Sequence, residues 1–390
     1  MSSRPINVKV IYRNYIPLNS PYFSLSDYPP KGIKFHIEKP KKFLSKFFWI
    51  YKRFKSYKLI LFLSGLVESI FFKNTDSSDQ FDYYYYIGIV PPKLTPHKFV
   101  VDLEHIFFLT RNATDEGSKE ELLDLLMQEN CIAIAPISHA AKETLKLYLG
   151  ERYKKIDKKV KVIYPSLPDY SEIYSKDISY EIIPADKKVK LLFVGKDSYR
   201  KGLYEVLEAF KILSLKYDNL SLFVVSDTPT ELIESVKGLK NVFFFNPSFS
   251  SKEIITKFFL PSDIFVMPTH EDTFGMVYLE ALSAGKPIVT TRQFATTEIG
   301  EDNVNALFLD NPPLFLDEDI FVKARFGKEY LLSEKDEKII INELVAKLTK
   351  IFTHPQLLKD LTSNTRKEFN KGGKFNIEQR NKIYQEIFTE

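Results

Sequence analysis

The segment 268–285, PTHEDTFGMVYLEALSAG, places the two carboxylates of Asp272 and Glu280 and a helix start within reach of one ligand. The preceding run SDIFVM is apolar and too short for a helix, so the sequence predicts a buried parallel strand, a turn and then a helix. Thr273 is the predicted N-cap of this helix and Gly285 its C-terminal stop. Backbone N–H groups at such a helix start have no helical partner and form the positive end of the helix dipole. This arrangement favours the binding of a phosphate. These groups belong to Phe274, Gly275, Met276 and Val277.

Two of the three acids of this segment are candidate ligand contacts, namely Asp272, just before the predicted helix, and Glu280, two turns into it. Eight residues at the helical rise separate them by about 12 Å, the combined length of a sugar, a diphosphate and a ribose. One acid then holds sugar hydroxyls and the other a ribose. The alternative is an ordinary acidic helix start and a solvated helix residue. Apolar residues surround Glu280 in the sequence, which indicates that its carboxylate meets a polar partner.

A second segment, 190–202, supplies cations. The run KLLFV predicts a buried strand, Gly195 ends it, and the charged turn KDSYRKG precedes the amphipathic helix LYEVLEAFKIL. Such turns lie at the carboxyl ends of strands, where open α/β sheets bind ligands. Arg200 suits either a ligand contact or a solvated loop, whereas Lys201 is favoured as a fixed cation for an anionic leaving group. Lys196 is the third cation of this turn.

Both segments, together with IAPISHAAKETL and VKVIYPS upstream, resemble the retaining glycosyltransferases of the B-type fold, specifically the large family 4 group. In that family a strand is followed by Gly-Arg, a short loop and Lys-Gly. The matching residues here are Gly195, Lys196, Lys201 and Gly202. The family's Glu-x7-Glu signature matches Asp272 to Glu280, with Phe274 and Gly275 as its Phe-Gly pair. Lys196 replaces the usual Arg and Asp272 the usual Glu, which keeps each charge but changes its reach and donor geometry.

The resemblance implies two Rossmann-like doubly wound domains that face each other across a cleft, the GT-B fold. It also implies transfer of a hexose from a nucleotide diphosphate sugar to a hydroxyl acceptor, with retained configuration and with neither a metal nor a cofactor besides the donor. The acceptor is a glycan or a protein-linked or lipid-linked group. The residues expected to catalyse transfer are Lys196, Lys201, Asp272 and His105. The residues expected to bind the donor are Gly195, Arg200, Thr273, Phe274, Gly275, Met276, Val277 and Glu280.

His105 follows the predicted strand KFVVDL, so the crevice rule directs it to the ligand side of the sheet. Members of the family often have a His after the matching strand, close to the transferred sugar, where it can exchange hydrogen bonds near neutral pH. The alternative is that Asp102, Glu104 and His105 only form a polar strand end. The family's glycine-rich loop after the first strand is missing, because VKVIY continues into RNYIPLNSPY.

Strand-like segments alternate with helical ones along the chain of 390 residues, as in a two-domain α/β protein. The sequence predicts an acceptor-side domain at 1–166, a polar connection at 167–188, and a nucleotide-sugar domain at 189–370. A terminal helix within 371–390 crosses back to the first domain in the family. Cys131 is the only cysteine and no secretory signal opens the chain, so we expect a cytoplasmic protein.

Residues 39–67 are rich in Lys, Arg and aromatic residues, with no acid between Glu38 and Glu68. This composition suits peripheral contact with an anionic membrane, and equally an amphipathic helix whose aromatics enter the core. The net charge of +4 and the lack of a recognition motif argue against nucleic acid. The D-x-D pattern at Asp317 is interpreted as a solvated turn and not as a metal site.

Other classes share parts of this pattern. A sugar-nucleotide epimerase of the same fold would consume donor without an acceptor, and a glycan phosphorylase would need pyridoxal phosphate and a far longer chain. A non-catalytic nucleotide-sugar-binding protein would use Glu280 without transfer. A dinucleotide-dependent dehydrogenase is disfavoured, because the chain has no G-x-G-x-x-G run.

Overall fold

The structure is a computed structural model that describes residues 4–12, 20–38, 80–91, 95–110, 113, 115–186, 188–310 and 332–389. Residues 39–67, most of the first loop and the D-x-D pattern lie outside these ranges. The chain forms two compact units, Met1–Ser166 with Ile377–Glu390, and Leu167–Asn376. Within the described ranges, no helix combines the length and the apolar character needed to cross a membrane.

The first unit contains a parallel five-stranded sheet with the order β2-β1-β3-β4-β5. This is the strand order of flavodoxin-like doubly wound folds. Strand β4 is buried along its whole length, as expected for a parallel strand covered on both faces. The strands are β1 (Ile6–Ile11), β2 (Ile33–Ile37), β3 (Tyr83–Ile87), β4 (Phe99–Leu103) and β5 (Cys131–Pro136). The helices are α1 (Ser20–Asp27), α2 (Ile106–Thr110), α3 (Glu116–Met127) and α4 (His139–Leu149).

The second unit contains a parallel six-stranded sheet with the order β11-β10-β9-β6-β7-β8, the classical dinucleotide-fold order. The strands are β6 (Val189–Val194), β7 (Leu220–Val225), β8 (Val242–Phe245), β9 (Ile264–Val266), β10 (Ile288–Thr291) and β11 (Ala306–Leu309). The helices are α5 (Tyr170–Ile173), α6 (Leu203–Ser214), α7 (Thr230–Ser235), α8 (Ser251–Ile254), α9 (Met276–Ser283), α10 (Thr296–Ile299), α11 (Glu334–Thr353) and α12 (Pro355–Asn364). The order of strands reverses between β6 and β9, which are adjacent although three crossovers separate them in sequence.

The terminal helix α13 (Ile377–Thr389) packs within the first unit. The Arg380 guanidinium donates to the Tyr28 carbonyl at 2.8 Å, and the hydroxyls of Tyr384 and Tyr85 are 2.8 Å apart. The segment before β6, which the sequence suggests is a connection, belongs to the second unit. There the Tyr170 N–H donates to Ser283 Oγ at 3.2 Å.

Candidate functional site

Two loops meet at the carboxyl edge of the second sheet, where the strand order reverses. Strand β6 leads into loop 195–202, and β9 leads into loop 267–275. The strands pair directly, with Leu192 opposite Phe265, so both loops leave the sheet side by side. This is the position at which open α/β sheets bind ligands. The basic and the acidic segments of the sequence therefore form one site.

Gly202 allows the two loops to interlock. Its φ of +78° lies in the left-handed region, and a Cβ added there would lie 2.3 Å from the Pro268 carbonyl oxygen. The His270 N–H donates to the Arg200 carbonyl at 2.9 Å, and the Thr269 hydroxyl donates to the same carbonyl at 3.3 Å. Backbone contacts thus fix the distance between the loops.

The centre of the site is an ion pair between Lys201 and Asp272. Lys201 Nζ lies 2.6 Å from Asp272 Oδ2, and the two side chains are only 10% and 16% exposed. The same ammonium donates to the Glu271 carbonyl at 3.3 Å, and Arg200 Nη1 donates to that carbonyl at 3.1 Å. The structure therefore joins two residues that the sequence analysis placed in separate roles. Burial and the neighbouring Arg200 lower the pKa of Lys201, and Asp272 opposes this shift.

Arg200 is held on both sides and is not part of a freely solvated loop. Its Nε lies 3.0 Å from Asp197 Oδ2, while its Nη1 contacts the Glu271 carbonyl. Asp197 has a φ of +64°, unusual outside glycine, and its N–H donates to Asp227 Oδ1 at 2.8 Å. The loop after β7 therefore supports the turn that carries the cations.

The prediction that Thr273 caps helix α9 is wrong. The helix begins at Met276, and Gly275 is its N-cap, with a φ of +87° and no side-chain cap. A Cβ at Gly275 would lie 2.4 Å from the Tyr278 ring, and Phe274 is 1% exposed. The buried Phe274 and the left-handed Gly275 thus delay the helix, and Met276 and Val277 provide its first N–H groups.

Two further expectations concern the same helix. The spacing of about 12 Å between Asp272 and Glu280 assumed continuous helix, whereas only the part from Met276 to Glu280 is helical, so the helical rise does not set this distance.

The predicted stop at Gly285 is confirmed. Its φ is +76°, its N–H donates to the Leu282 carbonyl at 2.9 Å, and the Lys286 N–H reaches the Ala281 carbonyl at 2.8 Å.

The remaining predicted residues of this unit lie in loop 195–202 or on α9. Gly195 packs beside the central lysine, because a Cβ there would lie 3.3 Å from Lys201 Cγ. Lys196 is exposed, and Glu280 is partly buried on α9. Among the residues that the structure describes, no group of three or more His, Cys, Asp or Glu side chains is arranged to hold a metal.

His105 belongs to the first unit, unlike every other predicted site residue. It is 1% exposed, and its Nδ1 accepts from the Phe107 N–H at 3.1 Å, which leaves the proton of the neutral ring on Nε2. Asp102 lies nearby in sequence and accepts from the hydroxyls of Tyr22 at 3.0 Å and Tyr85 at 2.8 Å. Burial raises the pKa of Asp102 to about 8, against the opposing hydrogen bond from Tyr85.

A buried pair formed by His270 and Glu205 was not predicted from the sequence. His270 Nε2 lies 2.8 Å from Glu205 Oε1, and each side chain is 1% exposed. Glu205 is the third residue of α6 and lies on its buried face with Val206 and Phe210. An acid among the apolar positions of an amphipathic helix was the available signal, because such an acid requires a partner.

Part of this chain is similar in sequence to known glycosyltransferases. Residues 176–314 match the family model described as Glycosyl transferases group 1. Lipopolysaccharide glucosyltransferase WaaG of Escherichia coli (strain K12) is 31% identical over 140 residues, 33% of this chain and 35% of the relative. The 2-deoxystreptamine N-acetyl-D-glucosaminyltransferase of Niallia circulans is 24% identical over 175 residues, 44% of this chain and 41% of the relative. The chain thus matches about a third to two fifths of the length of these curated relatives.

Solved structures are similar over nearly the whole chain. Anabaena HepE in complex with UDP has a TM-score of 0.62 at 13% identity, covering 98% of this chain and 99% of that chain. WaaG, described as a glycosyltransferase involved in lipopolysaccharide biosynthesis, has a TM-score of 0.58 at 15% identity with coverage of 98% and 99%. The predicted fold class, two Rossmann-like doubly wound domains of the GT-B type, is confirmed.

Proposed function

Because residues 176–314 match the family model described as Glycosyl transferases group 1, we propose that this protein transfers a hexose from a nucleotide diphosphate sugar to a hydroxyl acceptor. The configuration at the anomeric carbon is retained. The observation that carries the proposal is the Lys201–Asp272 ion pair, located where the strand order reverses. A cation and a sugar-binding carboxylate are needed within one ligand length, and this site supplies both.

The cations stabilise the leaving group. As the bond between the anomeric carbon and the phosphate oxygen breaks, negative charge grows on the diphosphate, and fixed positive groups lower the barrier. Lys201 and Arg200 provide this charge from a loop held by several hydrogen bonds. Lys196 and the N–H groups at Met276 add to it from the rim of the site.

The acceptor hydroxyl attacks the anomeric carbon from the face that the phosphate leaves. Its oxygen forms the new glycosidic bond, and its proton passes to the departing phosphate oxygen, so no side chain acts as the base. Asp272 holds Lys201 with Oδ2 and accepts from sugar hydroxyls with Oδ1, while Glu280 holds the ribose. We propose that this scheme needs no metal, since the ammonium and guanidinium groups supply the positive charge.

The first domain receives the acceptor, and His105 is the proposed catalytic residue of that domain. The acceptor is a glycan or a protein-linked or lipid-linked hydroxyl. The basic, aromatic composition of residues 39–67 supports a lipid-linked acceptor reached at an anionic membrane surface. Vesicle flotation with and without phosphatidylserine tests this contact, and equal flotation would remove it from the proposal.

The proposed activity is tested with a panel of UDP-, GDP- and ADP-glucose. UDP-glucose comes first, because one HepE structure contains it. Release of nucleoside diphosphate is measured with and without a pool of glycan and lipid acceptors, and products are analysed by mass spectrometry. Acceptor-dependent release with a glycosylated product supports transfer. An isomer of the donor indicates an epimerase, and a raised Tm without release indicates a non-catalytic binding protein. If no donor gives either nucleoside diphosphate release or a Tm shift, the proposal is overturned.

A further inference from the structure

A buried hydrogen bond connects loop 267–275 to helix α6, which directly follows loop 195–202. Glu205 lies four residues after Lys201, at the start of α6, and His270 lies two residues before Asp272. Their side chains meet at 2.8 Å between Glu205 Oε1 and His270 Nε2. The His270 N–H also donates to the carbonyl of Arg200 at 2.9 Å. One residue thus contacts both the turn that carries the cations and the helix that follows it.

Burial of the Glu205 and His270 side chains costs desolvation free energy. Both side chains are 1% exposed, and Glu205 Oε2 accepts no hydrogen bond from any residue that the structure describes. The positive end of α6 stabilises a carboxylate in its first turn, but only in part. Apolar residues of similar volume are often equally or more stable in place of a buried charged pair. Packing stability alone therefore does not account for this pair.

The position of the pair suggests what it controls. His270 is anchored by its side chain at Glu205 and by its N–H at the Arg200 carbonyl, and the same backbone continues into Glu271 and Asp272. The Glu271 carbonyl accepts from both Arg200 and Lys201, and Asp272 holds the Lys201 ammonium. A small rotation at His270 would therefore displace both acceptors of the central lysine together. A displacement of about 1 Å in such a site lowers the rate by about 10²-fold.

We propose that Glu205 and His270 are positioning residues that set the geometry of the Lys201–Asp272 pair. The inference rests on the proposed function and deepens it, since it concerns the same site. Both side chains are buried, so we expect neither to contact the substrate. Their loss should lower kcat while the KM for the donor changes little, because the misplaced cation acts mainly on charge that develops as the leaving group departs.

Four variants separate positioning from stability. His270→Phe keeps the shape of the ring but leaves the Glu205 carboxylate buried without its partner, so the Tm should fall by about 5 °C or more. The double variant Glu205→Leu/His270→Phe removes both polar groups, and its Tm should return to within about 2 °C of wild type. Its kcat should stay lower by about tenfold or more. His270→Gln, which retains a donor near Nε2, should recover kcat to within about threefold, and Glu205→Gln should behave likewise.

Asp263→Asn is the matched control. Asp263 accepts a hydrogen bond from the Lys190 N–H at 2.8 Å, at the end of β6 opposite the site. Replacement of Asp263 therefore perturbs the same unit but not loops 195–202 and 267–275. This variant should keep the wild-type kcat. A double variant with restored Tm and wild-type kcat would overturn the positioning role.

A second readout does not depend on turnover. An amine-acylating reagent labels Lys201, and peptide mass spectrometry measures the rate of labelling. In the wild type the buried ion pair should keep this rate low. In the double variant it should rise by about tenfold, while in Asp263→Asn it should not change. If the wild type transfers no sugar, the proposed function fails, but faster labelling still supports the positioning role. Unchanged labelling of a stable double variant would refute it.

Discussion

Replacing Lys201 is the strongest test of the candidate site. Lys201→Met retains most of the aliphatic stem and removes the ammonium that lies 2.6 Å from Asp272 and 3.3 Å from the Glu271 carbonyl. Loss of one fixed electrostatic stabiliser costs about 3–4 kcal/mol in the transition state, which lowers kcat by about 10²- to 10³-fold. The Asp272 carboxylate then stays mostly buried without its partner, so the free energy of unfolding should also fall, by about 1–3 kcal/mol.

The assay is nucleoside diphosphate release at saturating donor, together with thermal unfolding of each variant. Lys211→Ala is the matched control, because Lys211 forms an ordinary ion pair with Glu208 on α6. Such partly exposed pairs contribute under about 1 kcal/mol. The double variant Lys201→Met/Asp272→Asn should regain stability, since no carboxylate is left unpaired, and should remain inactive. A folded Lys201→Met protein with kcat within about threefold of wild type would refute the assignment of Lys201.

Three further predictions follow from other parts of the molecule. Gly202→Ala should lower the free energy of unfolding by more than about 1 kcal/mol, because a Cβ would meet the Pro268 carbonyl at 2.3 Å, whereas Gly238→Ala meets open space and should not. Equal Tm values for the two variants would contradict this. The raised pKa of Asp102, about 8, means that its stabilising contribution is complete below about pH 4 and is lost as the pH rises to 8. Asp102→Asn should therefore gain in Tm relative to wild type from pH 5 to 8, and a difference that does not change with pH would be evidence against the buried acid. EDTA should leave the transfer rate unchanged, and loss of activity that Mg²⁺ restores would show that the cations of the chain are insufficient.

Strand positions were the most predictable part of the fold. The runs before Gly195 and Pro268 are short, apolar and bounded by turn residues, and both form buried parallel strands. The crevice rule then brought Lys201 and Asp272 to the same edge of a sheet. Their direct contact was not predictable, since the residues lie 71 apart in sequence and only the strand order makes β6 and β9 neighbours.

Sequence rules for helix starts and buried acids were insufficient where contacts with other parts of the unit decide the local structure. Thr273 is a good N-cap residue, but the Tyr278 ring packs against Gly275 and fixes a left-handed turn, so the helix starts later. Glu205 illustrates the same limit, because helical periodicity does not say which neighbour a buried acid contacts. Its partner, His270, comes from a different loop of the unit.

The ion pair has a consequence for selectivity among anions. The charge of Lys201 is already balanced by Asp272 before any ligand arrives, so an incoming phosphate shares the ammonium with a carboxylate. The electrostatic gain from that contact alone is small, because the negative charge of Asp272 remains beside the lysine. Free inorganic phosphate and sulfate are therefore expected to be weak competitors, and a ligand must bring its sugar and nucleoside contacts to bind well.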